Sequence, residues 1–382
     1  MLSIWRAPRL EDKTKLSADK IEGVRRLIEE LRGEPTRAID TEGIPCQEIS
    51  CVEQLCREPL VSVAMVTYNH ARFIRAAIEG VVQQKTAFSF ELVIGEDCST
   101  DETRAVVLEY QRRYPQIIRV LLSDANVGAA SNGLRVEMRC RGRYIAYCEG
   151  DDYWIDAKKL ALQVEVLERD LDVGLVFCAG QTQATDGHRA PLDGDFWQRA
   201  RDGTLFRMML RHGCGFVPTC SVMVRADAIR RGLASNAILR LDLSLGDLTR
   251  WLEVLRDTRG CLLPRPMVVY MRHPGSATQT NSRRLLCDVA AVRYWYACQS
   301  VEAADLRQSL FRNLVVCRVH GTLAKASLGV QFRRLALAVG FGRRQGITLT
   351  VIEWSRFLAD ALGMIAVAQA WRRKGSWRVM RA

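Results

Sequence analysis

An α/β fold, with a mostly parallel sheet and flanking helices, is the architecture this sequence predicts from residue 59 onward. Short apolar runs rich in β-branched residues alternate with amphipathic stretches of helical period, the pattern of βαβ units. Acidic and polar residues gather directly after the apolar runs, at the carboxyl ends of the expected strands, where such sheets bind ligands. The composition is ordinary for a globular protein, with 48% hydrophobic and 26% charged residues among 382. It excludes a disordered chain, a collagen-like repeat and a small disulfide scaffold, and the length suits about two domains.

Residues 1–58 read as a polar N-terminal extension with a helical run near Ala18 to Arg32. Cys46, Cys51 and Cys56 have a five-residue spacing that fits no common zinc pattern. An odd total of 13 cysteines, together with the mixed polar start MLSIWRAPRLEDKTKL, predicts reduced thiols and a cytoplasmic location. Pro59 opens the main domain, 59–284. Val61 to Thr67 (VSVAMVT) predicts a buried strand, after which Phe73, Ala77, Ile78, Val81 and Val82 recur at helical spacing. Phe90 to Gly95 (FELVIG) predicts the second strand. Ser99-Thr100-Asp101-Glu102 reads as a capping box opening the next helix, with Ser99 as N-cap. Ile117 to Leu122 and Arg143 to Glu149 (RYIAYCE) predict the third and fourth strands. Val173 to Cys178, Cys220 to Arg225 and Met267 to Met271 predict further strands, and 180–218 reads as turn-rich and irregular. The last region, 285–382, has a helical pattern.

Three strand ends carry candidate chemistry. Thr67-Tyr68-Asn69-His70 follows the first strand, with Tyr68 able to stack on a base. Gly95-Glu96-Asp97-Cys98 ends the second, and Asp97 precedes the expected cap, free to accept an N–H from a ligand. The third is Glu149-Gly150-Asp151-Asp152-Tyr153-Trp154. Three carboxylates within four residues at a buried strand end repel one another, and a divalent cation relieves that repulsion. Walker A, G-x-G-x-x-G, H-E-x-x-H and G-x-S-x-G patterns are missing, which removes the main support for kinase, dehydrogenase, zincin and hydrolase readings.

In order and spacing, VSVAMVTYNHARFIRAAIEGVVQQ, FELVIGEDCSTDETR, NVG and GRYIAYCEGDDYW resemble a family 2 glycosyltransferase of the GT-A fold, most closely over residues 59 to 180. The resemblance implies an inverting transfer of a sugar from a nucleoside-diphosphate sugar to an acceptor hydroxyl, in cell-surface glycan or polysaccharide synthesis. It implies that Val66, Tyr68 and Asp97 hold the base. Asp151 then lies on the ribose side, Asp152 ligates Mg²⁺ or Mn²⁺ at the diphosphate, and Glu149 replaces the commoner Asp at the first position. It also implies a carboxylate base, here Asp247 in Leu245-Gly246-Asp247-Leu248 with Asp242 as the rival, and a histidine near the diphosphate, here His273.

Two other classes stand beside this reading. A sugar nucleotidyltransferase would carry a Gly-rich basic loop after the first strand, where VTYNHARF has none. A basic non-catalytic binding protein would use the charge, formally +12. Phe332 to Ala382 holds ten basic residues against Glu353 and Asp360. No nucleic-acid module is recognisable, so no nucleic-acid partner is expected. Phe357 to Trp371 (FLADALGMIAVAQAW) is apolar but short of the ~20 residues that span a bilayer. With its flanking arginines it predicts peripheral contact with the anionic inner face of the cytoplasmic membrane and suits a lipid-linked acceptor.

Overall fold

The computed structural model describes residues 3–5, 25–29, 31–39, 44–192, 204–276, 282–310 and 313. Among them one 11-stranded sheet forms the scaffold. Its strands are β1 Ser3–Trp5, β2 Gln47–Ile49, β3 Val61–Thr67, β4 Phe90–Glu96, β5 Ile118–Leu122, β6 Tyr144–Tyr147, β7 Tyr153–Trp154, β8 Val173–Ala184, β9 Arg189–Pro191, β10 Met223–Arg225 and β11 Arg259–Arg272. The helices are α1 Ile74–Val82, α2 Thr103–Arg113, α3 Ala129–Arg139, α4 Lys159–Arg169, α5 Leu205–His212, α6 Ala226–Ser235, α7 Gly246–Asp257 and α8 Ser282–Gln299.

The order is β1-β11-β8-β10-β6-β3-β4-β5-β2, with β7 on β11 and β9 on β8. β6, β3, β4 and β5 are parallel. The chain leaves β3 for β4 and β5 on one side, then returns to place β6 on the other. That reversal opens a crevice between the carboxyl ends of β3 and β6, the usual ligand position in such sheets. β10 runs antiparallel between β6 and β8.

Burial on both faces explains the continuous apolar runs. In β3, Val61, Val63 and Met65 join one apolar cluster with Ile74, Ala77, Ile78 and Val81 of α1. Ala64 faces the other cluster, which contains Val254 and Trp251 of α7. Each such aliphatic side chain contributes about 1.5–3 kcal/mol on full burial. Gly80 lets α1 lie against β7, since a Cβ there would be 2.8 Å from the Trp154 carbonyl oxygen.

The structure modifies several expectations. Val173 to Cys178 extends to Ala184, and Met267 to Met271 is the end of a 14-residue strand. Cys220 and Ser221 lie in a 3-10 turn ahead of the short β10. The stretch 180–218 contains the β8–β9 hairpin and α5, both hidden by its polar sequence. Ser99 does not cap α2. Its N–H donates to Glu96 Oε1, while Asp101 Oδ1 accepts the Thr103 N–H at 3.0 Å.

The boundaries at 58/59 and 284/285 do not coincide with breaks in packing. β2 pairs with β5, Leu27, Ile28 and Leu31 enter the same core as α8, and Arg32 forms a 2.6 Å buried ion pair with Asp288. The described cysteines are free thiols. The basic tail from Phe332 lies outside the described residues.

Candidate active site

The loop after β3 is stitched to the loop after β4. Asn69 N–H donates to Ser99 Oγ at 3.0 Å, Thr100 N–H to Asn69 Oδ1 at 2.8 Å, and Ala71 N–H to Asp101 Oδ2 at 3.0 Å. Asn69 and Cys98 both take left-handed backbone angles, φ 55 and 60, a cost of about 1–3 kcal/mol each that surrounding contacts must offset. Tyr68 stands on the rim, 42% exposed. Val66 is partly buried, and its carbonyl accepts the Gly150 N–H at 2.9 Å. That bond carries the acidic run along the end of β3.

Asp97 is buried at the end of β4. Its two carboxylate oxygens accept the N–H groups of Val127 and Gly128 at 2.9 and 3.0 Å, which fixes the loop before α3. Burial pushes the Asp97 carboxyl up, against these two hydrogen bonds. Each oxygen keeps a second lone pair for a ligand N–H.

The acidic run splits into two faces. Asp152 points inward, where Oδ1 accepts the Met271 N–H at 2.8 Å. Burial, then the charges of Asp151 and Glu149, push it well above the carboxylate range. Glu149 is pushed up to about 8 by burial and by Asp151, with a smaller contribution from Asp247. Its Oε2 is sealed from solvent and has no hydrogen-bond partner among the described residues. Glu149, Asp152 and Cys220 can bring one ligand atom each within 4.8 Å of one another.

Asp151 faces the open side of the crevice. Its Oδ2 lies 2.9 Å from His273 Nε2 and 3.9 Å from His70 Nε2. Burial pushes Asp151 up, but the His273 hydrogen bond and the nearby His70 outweigh it and hold the carboxyl below its ordinary value. An ionised Asp151 only accepts, so His273 Nε2 carries the donated proton. Phe73 packs on the His273 ring at 4.8 Å between centroids. His70 is lowered by burial, against the charge of Asp151. Gly150 is sterically required, since a Cβ there would lie 2.6 Å from Thr67 Oγ1 and 3.0 Å from His70 Nδ1. Both of those atoms are buried without partners among the described residues.

Asp247 sits in the first turn of α7, across from Glu149. Its Oδ1 accepts the Leu248 N–H at 2.7 Å and its Oδ2 accepts the Thr219 hydroxyl at 3.0 Å. Burial raises its pKa against these bonds and the charge of Arg250. The rival Asp242 is occupied elsewhere, with its Oδ2 2.7 Å from Arg284.

The structure therefore gathers Glu149, Asp151, Asp152, Asp247 and His273 at one crevice, with Tyr68 on its rim and Asp97 at the neighbouring strand end. Sequence reasoning named His70 in the first strand-end run without a role for it, and left out Thr219 and Cys220 as site residues. His70 had a usable signal, since it follows the end of β3 by three residues, as His273 follows the end of β11 by one. Thr219 and Cys220 had none, because only the return of the chain before β10 brings them there.

Three comparisons bear on this site. Residues 62–233 match the sequence profile described as Glycosyl transferase family 2. An uncharacterized protein of Mycobacterium tuberculosis is 33% identical over 220 residues, which cover 56% of this chain and 59% of that protein. The putative teichuronic acid biosynthesis glycosyltransferase TuaG of Bacillus subtilis is 34% identical over 137 residues, covering 36% of this chain and 52% of TuaG. The chain thus spans between half and two thirds of these relatives' lengths. Among solved structures, S. aureus TarS residues 1–349 in complex with UDP-GlcNAc superposes with a TM-score of 0.55 at 16% identity, covering 83% of this chain and 93% of that one. At that identity the likeness shows the GT-A fold and no more. Asp247, on α7, and His273, directly after β11, lie beyond the matched segment but at the same crevice. With the first strand, both loops and the acidic run inside it, the segment 62–233 belongs to glycosyl transferase family 2.

Proposed function

We propose that this chain transfers a glycosyl group, with inversion, from a nucleoside-diphosphate sugar to an acceptor hydroxyl during polysaccharide synthesis. The observation that carries the reading is the crevice itself, where a carboxylate on α7 lies near Glu149 of the acidic run and Asp151 pairs with the His273 imidazole beside the β3–β6 switch point. The match to TuaG supports a polysaccharide product, and the TarS complex with UDP-GlcNAc supports a uridine diphosphate donor. Val66, Tyr68 and Asp97 are assigned to the base, with Glu149 toward the ribose.

A divalent cation fits the site. Glu149 Oε2 is buried without a partner among the described residues, and Glu149 and Asp152 are both pushed upward, first by burial and then by neighbouring negative charge. Asp152 was the ligand expected from sequence, and it belongs to the inner group with Glu149 and Cys220. Within that group Asp152 and Cys220 are buried, and only Glu149 is partly exposed. We therefore assign the cation to Asp151 and His273 on the open face, with Asp152 anchoring the run through Met271. When bound, Mg²⁺ or Mn²⁺ supplies charge compensation for the leaving diphosphate.

The remaining work falls to the chain's own residues. The acceptor oxygen attacks the anomeric carbon as the bond to the diphosphate breaks, and Asp247 takes the hydroxyl proton at its carboxylate. A buried carboxylate with a raised pKa is a better proton acceptor than an exposed one. Thr219 and the Leu248 N–H orient it. The protein incubated with UDP-GlcNAc or UDP-glucose and Mn²⁺ should release UDP and free or transferred sugar. Release of pyrophosphate from a sugar phosphate and a nucleoside triphosphate would instead mark nucleotidyl transfer.

The acceptor and the membrane belong to the same proposal. Among the described residues no helix is long and apolar enough to cross a membrane. We assign the tail, Phe332 to Ala382, to an anionic membrane surface that presents a lipid-linked acceptor.

A further inference from the structure

A buried ion pair lies directly behind Asp247. Arg250 is one turn further along α7 and only 8% exposed, and its Nε donates to Glu137 Oε1 of α3 at 2.6 Å. The Tyr147 hydroxyl at the end of β6 donates to the same oxygen at 2.8 Å, and the Tyr147 ring meets Trp251 edge-on at 5.0 Å. The guanidinium folds back over the first turn of its own helix, so that a Cβ on Gly246 would collide with Arg250 Nη1. Gly246 therefore permits the approach that lays this cation beside Asp247. A buried pair of this kind contributes little to net stability, because desolvation offsets the attraction.

We propose that the Glu137–Arg250 pair positions and electrostatically tunes Asp247. The inference rests on reading Asp247 as the base. Glu137 holds the guanidinium in one orientation, Tyr147 and Trp251 hold Glu137 and α7, and Arg250 favours the ionised carboxylate that accepts the proton. The groups facing Asp247 are Glu149 from the acidic run, the Thr219 hydroxyl, the Cys214 thiol, and Leu248 N–H and Arg250 from its own helix. Glu149 opposes ionisation of Asp247, and Arg250 is the cation that answers it. Arg250 and Glu137 act through Asp247 and are positioning residues.

The test compares the full-length wild type with E137L/R250M, which removes both charges and leaves neither unpaired, and with R250K. The readout is UDP release from UDP-GlcNAc with Mn²⁺ across pH, with UDP affinity measured separately. E137L/R250M should bind UDP within about twofold of wild type. The acid limb of its turnover should move up by on the order of one pH unit, with up to roughly 10-fold slower release on that limb. R250K keeps the charge, so its limb should stay in place while turnover falls a few-fold. An unmoved limb in a folded E137L/R250M, or wild-type turnover in R250K, overturns the proposal. D247N run in parallel separates the two failures. If D247N is inactive and the pair variants match wild type, only the positioning role falls, whereas wild-type turnover in D247N removes the base assignment and this inference with it.

Discussion

His273 Nε2 and Asp151 Oδ2 lie 2.9 Å apart across 122 residues of sequence. The contact joins the end of β11 to the loop after β6, the second and fifth strands in the order of the sheet. Only the β3–β6 switch and the return of β11 along β8 bring the two groups together. An acid and an imidazole that meet at the open mouth of a sheet form a ligating pair for a cation, or a hydrogen-bonded pair when none is bound.

The two acids of the run should therefore behave differently. Asp151→Asn should abolish the Mn²⁺-dependent part of UDP's thermal stabilisation and cost several kcal/mol of transition-state stabilisation. Asp152→Asn keeps an oxygen for the Met271 N–H and should retain most of that stabilisation. Thermal shifts with UDP, with and without Mn²⁺, check it. The reverse ranking would return the cation to Asp152 and the inner group.

His273→Ala should weaken UDP binding much more than uridine binding if the imidazole serves the diphosphate as proposed. Titration calorimetry with both ligands reads the difference. Equal losses for the two would assign His273 a packing role against Phe73.

Asp247→Asn should leave UDP affinity close to wild type while turnover falls by roughly 10²–10⁴, the usual contribution of a general base. Asp242→Asn should turn over normally, since Asp242 is paired with Arg284. An inactive Asp242→Asn beside an active Asp247→Asn would move the base to Asp242.

Much of this was readable in the sequence because local pattern and long-range role coincide. VSVAMVT and FELVIG are buried on both faces, so their apolar runs mark strands without ambiguity. The acid run announces itself because three carboxylates crowd one strand end. Asp97 was recognised as a strand-end acid, but its hold on Val127 and Gly128 depends on a loop thirty residues away. Ser99 misled, because Asp101 offers an equally good side chain two residues on and the β4 loop turns Ser99 toward Asn69. Glu137 and Arg250 were invisible, since a charged residue on a helix reads as a solvated face until another helix covers it. The 14-residue β11 was seen only at its end, because Pro264, Arg265 and Pro266 interrupt its apolar pattern.

Acid stability should be governed in part by Glu91, at the opposite end of the sheet from the crevice. Glu91 is 1% exposed and accepts bonds from Ser62 Oγ at 2.6 Å, from Arg141 N–H, Nε and Nη2, and from Arg119 Nη1 at 3.1 Å. Burial pushes its pKa up, but the bonds from Arg141 and Ser62 and the charge of Arg119 outweigh it and leave the carboxyl below its ordinary value. A depressed folded pKa means that the unfolded chain takes up the proton first as pH falls. The stabilisation is therefore complete above the unfolded value of about 4.3 and disappears as pH falls through the folded value. Glu91→Gln should lose on the order of 2 kcal/mol at neutral pH, the scale of hydrogen bonds to a charged group. The gap between wild type and variant should close as pH drops below about 4. Urea unfolding at a series of pH values measures it. A gap that stays constant down to acid pH would show that Glu91 acts through shape and not through its charge.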